Sequence, residues 1–284
     1  MTILVFVYIY GDAMHIYELR PFVIQEVVVP GRIIQERAGH VAVITLDNVE
    51  KHNAIDVPMW ISLKSVFDEL RSDPSVRCVT IQGAGAAAFS AGADISEFET
   101  HRFTTEQVVH FHEHYVGACL TAIAEADIPV IAKIRGACMG GGLEISSVCD
   151  IRLADDTARF GAPVGRLGFP LAFAETQALF KIVGPSVAAE LLLEGRILNA
   201  REAYERRLVT RIASAATLDQ EAQICAENIC KSSPSAARSH KQQLRRLMAD
   251  PSPVSLVERM EGYSFAETEE YRQGIRKFLS RKKG

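Results

Sequence analysis

The chain has 284 residues, of which 48% are hydrophobic and 23% are charged. This balance is typical of a globular protein with enough apolar residues for one large core or two unequal cores. The formal net charge of -4 excludes a general basic field, so we expect no nucleic-acid partner.

Residues 1–31 form an N-terminal extension to which the sequence assigns no role. Residues 3–10 are apolar but too short to span a bilayer, and they have neither a basic leader nor a small-residue cleavage site. An extra strand or an upstream start codon, with Met14 as the true start, would each explain the extension. The six cysteines occur at no CxxC spacing, which is typical of a reducing compartment. We therefore expect a cytoplasmic protein with no membrane partner.

Strand and helix signals alternate after the extension. Two β-strands, 33–37 and 41–46, flank a turn at Gly39, because β-branched residues cluster on either side of this glycine. The elements predicted after them are a helix over 58–70, a strand over 78–81, a helix over about 105–126, a strand over 130–134, a further helix and a strand over 151–154. Strand, helix and strand in succession indicate parallel βαβ units. From Ala172 onward the pattern is almost all helical.

Three consecutive glycines, Gly140 to Gly142, stand between a predicted strand and a predicted helix, with Glu144 two positions later. Glycine at such a turn lets the backbone approach a ligand closely, and the first N–H groups of a helix have no intrahelical acceptor. A second loop, residues 89–95 (FSAGADI), also follows a strand and a glycine-rich stretch. Two loops that each offer an N–H group can hold one oxygen on which negative charge develops.

The ordered motifs of this chain resemble those of the crotonase, or enoyl-CoA hydratase/isomerase, superfamily. The blocks that carry the resemblance are 91–95 (AGADI), 129–136 (PVIAKIRG), 140–144 (GGGLE), 149–154 (CDIRLA) and 160–163 (FGAP). The resemblance runs from about Ile34 to the C-terminus. It implies an α/β fold with a spiral of ββα units over 32–225, followed by a C-terminal helical region over 226–284. In the superfamily this helical region mediates formation of a homotrimer, often within a hexamer.

The resemblance also implies a site for an acyl-CoA thioester. It assigns the N–H groups of Ala93 and Gly141 to an oxyanion hole and Glu144 to acid/base chemistry at the acyl chain. The residues that it places at the coenzyme A part of the substrate are Ala54, Ala91, Asp94, Ile95, Gly140, Phe278 and Lys282. Phe278 and Lys282 belong to a tail that would equally suit a solvated basic end. No metal and no redox cofactor is required, and coenzyme A is part of the substrate.

The chain departs from the hydratase pattern at its second carboxylate. In the hydratases a glutamate follows the proline of the F-G-x-P-E segment, whereas Val164 stands there in this chain. Valine can neither accept a proton nor hold water by charge, so the departure weakens hydration without selecting isomerisation. Glu175 lies in an altered stretch shortly after, and we expect a solvated or pocket-rim helix residue there. Hydration would survive if Glu175 or another group replaced the missing carboxylate. Ser96 stands where many relatives have a lysine, so one phosphate contact is expected to be missing.

Three alternatives remain open from the sequence. A catalytically weak or non-hydratase acyl-CoA-binding member, namely an isomerase, a decarboxylase or a binding protein, would explain Val164. The binding protein would bind CoA esters without turnover. His110 and His114 have the spacing of a zinc pair, but no third ligand is evident and a polar helix face or pocket lining is favoured. A peptidase of the related ClpP type would need Ser90 in a Ser-His-Asp arrangement, which the sequence does not indicate.

Overall fold

The computed structural model describes the backbone of Ile9–Tyr10, Ala13–Met14 and residues 30–281, and the side chains of residues 30–280. The two short segments, β1 (Ile9–Tyr10) and β2 (Ala13–Met14), pair antiparallel. The rest of the extension from 1 to 29 and the predicted contact Lys282 lie outside the described residues. Their roles therefore stay predictions.

A six-stranded sheet forms the centre of the α/β body. Its strands are β3 (Arg32–Ala38), β4 (Val41–Asp47), β5 (Cys78–Gly83), β7 (Val130–Ile134), β9 (Ile151–Asp155) and β12 (Arg211–Ala213). The order across the sheet is β12-β9-β7-β5-β4-β3, and only β3 and β4 pair antiparallel. This confirms the predicted hairpin around Gly39, whose φ of 62° is the left-handed conformation that glycine favours.

A smaller sheet of four strands lies beside the first. It contains β6 (Ala88–Ser90), β8 (Ala137–Met139), β10 (Arg159–Gly161) and β11 (Leu198–Asn199), in the order β11-β10-β8-β6. The chain visits a strand of the large sheet, a strand of the small sheet and then a helix, and it repeats this order. These repeats are the ββα units that the motifs predict.

Helices cover the sheets and form the C-terminal part. They are α1 (Val57–Arg71), α2 (Phe98–His101), α3 (Thr105–His110), α4 (Ala118–Glu125), α5 (Gly141–Val148), α6 (Phe173–Ala189), α7 (Ala200–Glu205), α8 (Leu218–Lys231), α9 (Pro234–Ala249), α10 (Leu256–Gly262) and α11 (Glu269–Arg281). The strands β11 and β12 interrupt the all-helical pattern expected after Ala172. Both are very short, so they carry little periodicity in the sequence.

Two segments within helical runs have π-helical geometry. Phe111–Gly117 joins α3 to α4, and Glu190–Glu194 continues α6. The continuous run Phe173–Glu194 is long and apolar enough to cross a membrane by length and composition alone. It bends at Gly184, where φ is 73° and ψ is 177°, and α6 packs on α5.

The loops that frame the candidate site are tied together by the buried side chain of Asn53. Its Nδ2 donates to the carbonyl oxygens of Ala84 at 2.9 Å and Ala88 at 2.8 Å, and its Oδ1 accepts from the N–H of Asn48 at 3.1 Å. The two donated bonds fix the loop before α1 to the chain just before β6 and to the first residue of this strand. The next loop along the chain, at 91–95, starts from this fixed point.

Candidate active site

Two glycine-containing turns meet at the N-terminus of α5. A Cβ atom built on Gly141 would lie 3.5 Å from the nitrogen of Ala93, and one built on Gly92 would lie 3.4 Å from the nitrogen of Gly141. With standard bond lengths, the nitrogens of Ala93 and Gly141 are then no more than about 6 Å apart. A single oxygen that lies about 2.9 Å from each of two nitrogens can bridge nitrogens up to about 6 Å apart. The two turns therefore meet the distance limit for gripping a single oxygen.

The main chain around Ala93 leaves its N–H group unused. The neighbouring residues form a short parallel bridge, in which the N–H of Ile55 donates to Gly92 O at 2.7 Å and the N–H of Asp94 donates to Ile55 O at 3.0 Å. Because N–H groups alternate in direction along an extended chain, the Ala93 N–H is directed away from Ile55. Within the described part of the chain it has no hydrogen-bond acceptor.

The turn before α5 requires glycine for two reasons. Gly140 has φ 44° and ψ -116°, a conformation that residues with a Cβ atom rarely adopt. At Gly141 a Cβ atom would lie only 3.0 Å from Cζ2 of the fully buried Trp60. Gly141 is the first residue of α5, so its N–H has no intrahelical acceptor.

The C-terminal end of α5 is held by a buried arginine. Arg152 donates to the carbonyl oxygens of Ser146 and Cys149 at this end of the helix, and also to Leu208 O at 2.8 Å. These bonds satisfy carbonyl groups that a helix end leaves without partners. The eight-residue helix is thus fixed at its end, and Glu144 is positioned near its start.

Glu144 lies on α5, and only 8% of its surface is exposed. Burial raises the pKa of the Glu144 carboxyl well above its ordinary value, the negative charge of Glu175 raises this pKa further, and the positive charge of Arg102 opposes both. A carboxyl group that is buried beside a second carboxylate favours its protonated form. Glu144 is therefore a buried carboxyl group with a raised pKa.

Glu175 is buried, so the expectation of a solvated or pocket-rim residue is wrong. It is 1% exposed and lies on α6. Its Oε1 is 2.6 Å from Nδ1 of His112, and its Oε2 accepts from the N–H of Ala172 at 2.8 Å. His112 belongs to the π-helical segment after α3, which is 63 residues away in sequence. No local pattern links two residues so far apart, which is why the sequence does not reveal this pair.

Arg102 completes the polar group around His112. Its Nη2 is 3.1 Å from Nε2 of His112, and its guanidinium lies over the rings of Phe98, Phe111 and Phe169 at 4.2, 4.8 and 4.5 Å from their centroids. Such cation-π contacts stabilise a charged group that is partly removed from water. We call Arg102, His112 and Glu175 the polar triad.

The sequence model of the enoyl-CoA hydratase/isomerase family matches residues 36–284. The chain belongs to this family. The chain is 38% identical to an enoyl-CoA hydratase/carnithine racemase from Magnetospirillum magneticum, whose crystal structure matches with a TM-score of 0.85 over 88% of this chain and 92% of that chain. Its sequence is also 34% identical to a probable enoyl-CoA hydratase, echA8, of Mycobacterium tuberculosis, over 88% of this chain and 95% of that protein. A short-chain-enoyl-CoA hydratase of Clostridium acetobutylicum is 32% identical, over 88% of this chain and 95% of that protein.

The residues predicted for the coenzyme A end of a family substrate lie around the same turns. Ala54 is buried, and its carbonyl oxygen accepts from Nδ2 of Asn48 at 2.8 Å. The N–H of Ala91 donates to His52 O at 2.9 Å, and the N–H of Gly140 donates to Gly161 O at 2.9 Å. The structure thus places Ala54, Ala91 and Gly140 in hydrogen-bonded main chain around the two N–H groups.

A lysine from the opposite loop occupies the neighbourhood of Ser96. Nζ of Lys51 is 2.6 Å from Oδ2 of Asp94 and 3.3 Å from Oγ of Ser96. The bond to Asp94 raises the pKa of Lys51. Ile95, between Asp94 and Ser96, is 60% exposed. A cation is therefore present beside this enoyl-CoA hydratase/isomerase loop, although the sequence position itself carries serine.

The remaining candidates lie elsewhere or do not form a site. Phe278 lies on α11 with an exposed side chain, and its nucleotide contact stays a prediction. The rings of His110 and His114 are 4.7 Å apart between centroids, but the described residues contain no group of three or more metal-ligating side chains. Ser90 is buried, and its Oγ accepts from the N–H of Gly92 at 3.1 Å. This bond serves the turn and gives no support to a Ser-His-Asp arrangement.

Proposed function

We propose that the protein forms and protonates the enolate of an acyl-CoA thioester. The α C–H bond of the acyl group breaks, its proton passes to the Glu144 carboxylate, and the electron pair moves onto the thioester oxygen. The N–H groups of Ala93 and Gly141 bind this oxygen. In the reverse direction Glu144 returns a proton to carbon. The observation that carries the proposal is the convergence of the two turns next to the buried carboxyl group of Glu144.

The rate acceleration that two such N–H donors can supply is large enough for catalysis. Two preorganised N–H donors stabilise the charge that develops on oxygen, and loss of one such donor typically lowers the rate by about two to three orders of magnitude. Neither proton transfer nor oxyanion binding changes the oxidation state of the substrate. We therefore propose that no metal and no redox cofactor is needed, which dialysis against a chelator followed by the turnover assay would test.

The coenzyme A moiety is proposed to lie along the loops that carry Ala54, Ala91, Asp94 and Ile95, with the main chain of Gly140 nearby. Lys51 supports this placement, because an ammonium group is a competent partner for a phosphate. Phe278 and Lys282 are proposed to contact the nucleotide, from the same chain or from a neighbouring subunit.

Isotope exchange tests the enolate chemistry without knowledge of the natural acyl group. A panel of saturated, 2-enoyl, 3-enoyl and carboxylated acyl-CoAs is incubated in D2O with the wild type and with Glu144→Gln, and products are analysed by mass spectrometry. We expect the wild type to introduce deuterium at the α carbon and Glu144→Gln to lose this activity. Products heavier by one water molecule would indicate hydration, and a moved double bond without added water would indicate isomerisation. Exchange that persists in Glu144→Gln would contradict the role of Glu144.

Val164 favours one second candidate, a binding protein or non-hydratase member of the family. Its side chain is half-buried in the 3-10 turn Pro163–Leu167, where the hydratase motif has a glutamate. In this case CoA esters bind at micromolar concentration in calorimetry, but no member of the panel is hydrated, isomerised or exchanged.

The assembly is proposed to be a homotrimer or a hexamer in the cytoplasm. Large apolar side chains are exposed on one chain, and Phe173 and Leu193 are 94% and 86% exposed. On α10, Leu256 and Val257 are 65% and 67% exposed. Association between subunits would remove such apolar side chains from water. Light scattering coupled to size-exclusion chromatography would show three or six subunits, and a monomer would contradict this assembly.

A further inference from the structure

A cavity of about 590 Å³ lies at the edge of the small sheet, where β10 and β11 meet the start of α7 and of β12. Its volume is within the range of about 300–1,000 Å³ that is typical of cavities for small molecules. Charged and polar side chains make up most of its lining, namely Asp156, Arg159, Asn199, Arg201, Tyr204 and Arg211. None of these residues belongs to the candidate active site. We call this space the arginine cavity.

The three arginines of the cavity come from three different elements. Arg159 is the first residue of β10 and pairs with Asn199 of β11. Arg201 lies in the first turn of α7, which begins directly after β11, and Arg211 is the first residue of β12. Tertiary structure, and not a local basic run of the sequence, therefore brings these cations to one cavity.

The arginine cavity and the oxyanion-binding turn lie at opposite ends of the small sheet. The strands β8 and β10 are parallel, and Arg159 at the start of β10 is level with Ala137 at the start of β8. Gly140 and Gly141 follow the last residue of β8. A ligand at Arg159 therefore lies where these strands begin, whereas the thioester oxygen would lie where they end.

The charge of the arginine cavity is not neutralised by the protein. Three arginines face one acidic residue, Asp156, which leaves a formal charge of two positive units. Within residues 30–280, none of the three guanidinium groups forms an ion pair with a carboxylate, and Arg211 contacts only the weak acceptor Sγ of Cys225, at 3.7 Å. All three side chains are exposed, so their N–H groups are open to a ligand.

The neighbouring arginines differ, because they are paired. Arg196 lies 2.7 Å from a carboxylate oxygen of Glu190 and 2.6 Å from one of Glu202, and Arg206 lies 2.6 Å from the other oxygen of Glu190. The carboxylates next to the cavity are therefore already occupied. The unpaired state is specific to the arginines that line the cavity.

The chemistry of the lining fits a phosphate group that carries an organic part. Arginine presents N–H donors in a planar fork that matches the oxygens of a phosphate. Tyr204 follows Arg201 by three residues on α7, so both lie on one face of this helix. The exposed ring of Tyr204, the buried Ala200 and the half-buried Ile212 add apolar surface to the cavity. Inorganic phosphate alone would fill only a small part of this volume.

We propose that the arginine cavity binds a small organic phosphate. Arg159, Arg201 and Arg211 hold the phosphate group, and the organic part lies against Tyr204. This site is separate from the loops proposed for coenzyme A, and it does not depend on the proposed function.

Calorimetric titration of the full-length protein with phenyl phosphate tests the proposal. This probe combines a phosphate with an aromatic ring and contains no part of coenzyme A. At low ionic strength we expect one site per chain with a Kd below about 1 mM, and added salt should weaken binding. Phenol, which lacks the phosphate, should not bind measurably. Inorganic phosphate should bind more weakly than phenyl phosphate, and equal affinities would overturn the role given to Tyr204.

Substitution of the arginines locates the bound probe. Arg159→Gln, Arg201→Gln and Arg211→Gln should each raise the Kd about fivefold or more, since each removes one charged partner of the phosphate. The matched control is Arg71→Gln, which makes the same change at an exposed arginine in the last turn of α1 and should leave the Kd unchanged. Circular dichroism checks that each variant is folded. The three positions are independent, so one misfolded variant leaves two that test the site.

A second titration separates the arginine cavity from the coenzyme A site. It is carried out with a saturating unreactive acyl-CoA thioether, and the Kd of phenyl phosphate should not change. Displacement of the probe by the thioether would overturn a separate site. The same conclusion would follow if the wild type bound no phenyl phosphate at millimolar concentration, or if the folded arginine variants all bound it as the wild type does. If the arginine variants weaken binding as expected but no CoA ester is bound or turned over, the arginine cavity stands and the proposed function fails.

Discussion

Replacement of Gly141 by alanine probes the turn that offers the second N–H group. The new methyl carbon would lie 3.0 and 3.3 Å from Cζ2 and Cη2 of Trp60 and 3.5 Å from the nitrogen of Ala93. Trp60 is fully buried, so the indole cannot simply swing away, and either the ring or the turn must shift by a few tenths of an ångström. Overpacking of this kind typically lowers the free energy of unfolding by about 1–3 kcal/mol.

The catalytic effect of Gly141→Ala should exceed its effect on folding. A shift of the turn moves the Gly141 N–H away from the thioester oxygen, and loss of one oxyanion donor costs about 10²- to 10³-fold in kcat. The assays are urea unfolding and deuterium exchange at the α carbon of the best substrate. Gly274→Ala is the matched control, because a Cβ atom there meets nothing within 4 Å. A folded Gly141→Ala protein with kcat within about threefold of the wild type would show that the Gly141 N–H does not stabilise the thioester oxygen.

Three further predictions concern pH, the substrate's phosphates and a helix cap. Because the pKa of Glu144 is raised, the native state binds more protons than the unfolded state above about pH 4.3. The free energy of unfolding of the wild type relative to Glu144→Gln should therefore fall as pH rises above this value, by about 1.4 kcal/mol per pH unit at most. If urea unfolding shows that this difference in free energy does not change with pH, the burial of Glu144 is contradicted. Lys51→Met should raise KM for CoA esters about fivefold, the size of an exposed ion-pair contact, and leave KM for pantetheine esters without the nucleotide phosphates unchanged; equal increases for both would exclude a phosphate contact. Asp56→Ala should lower the free energy of unfolding by about 1–2 kcal/mol, because the buried Asp56 carboxylate caps α1 by accepting from Met59 N at 2.9 Å and also accepts from Gly31 N at 2.8 Å; a change below about 0.5 kcal/mol in urea unfolding would show that the cap contributes little.

The periodic elements of the fold could be predicted from the sequence. The helix predicted over 58–70 is α1, and the predicted strands around Gly39 are β3 and β4. These elements alternate or repeat apolar residues over many positions, so local pattern and burial agree. The strands β11 and β12 contain two and three residues, which is too few for a period to appear.

The main-chain part of the candidate site was also accessible to sequence reasoning, whereas the polar triad was not. Glycines before a helix indicate a close approach of the backbone, and the structure brings Gly92 and Gly141 together as expected. The environment of Glu175 depends on a tertiary contact with His112. His112 lies in a π-helical segment, and this geometry does not follow from the sequence pattern around it. The sequence therefore predicts a solvated side chain for Glu175, because its distant partner His112 is not evident.

The proposed chemistry depends on one thioester oxygen that accepts hydrogen bonds from two main-chain N–H groups on different turns. A crystal structure of the protein with a bound acyl-CoA or an unreactive thioether or enolate analogue would locate this oxygen. We expect the carbonyl or enolate oxygen to lie about 2.7–3.1 Å from both the Ala93 and the Gly141 nitrogens, with the α carbon next to the Glu144 carboxyl group. An oxygen that faces solvent, or that contacts neither nitrogen in a fully occupied complex, would contradict it.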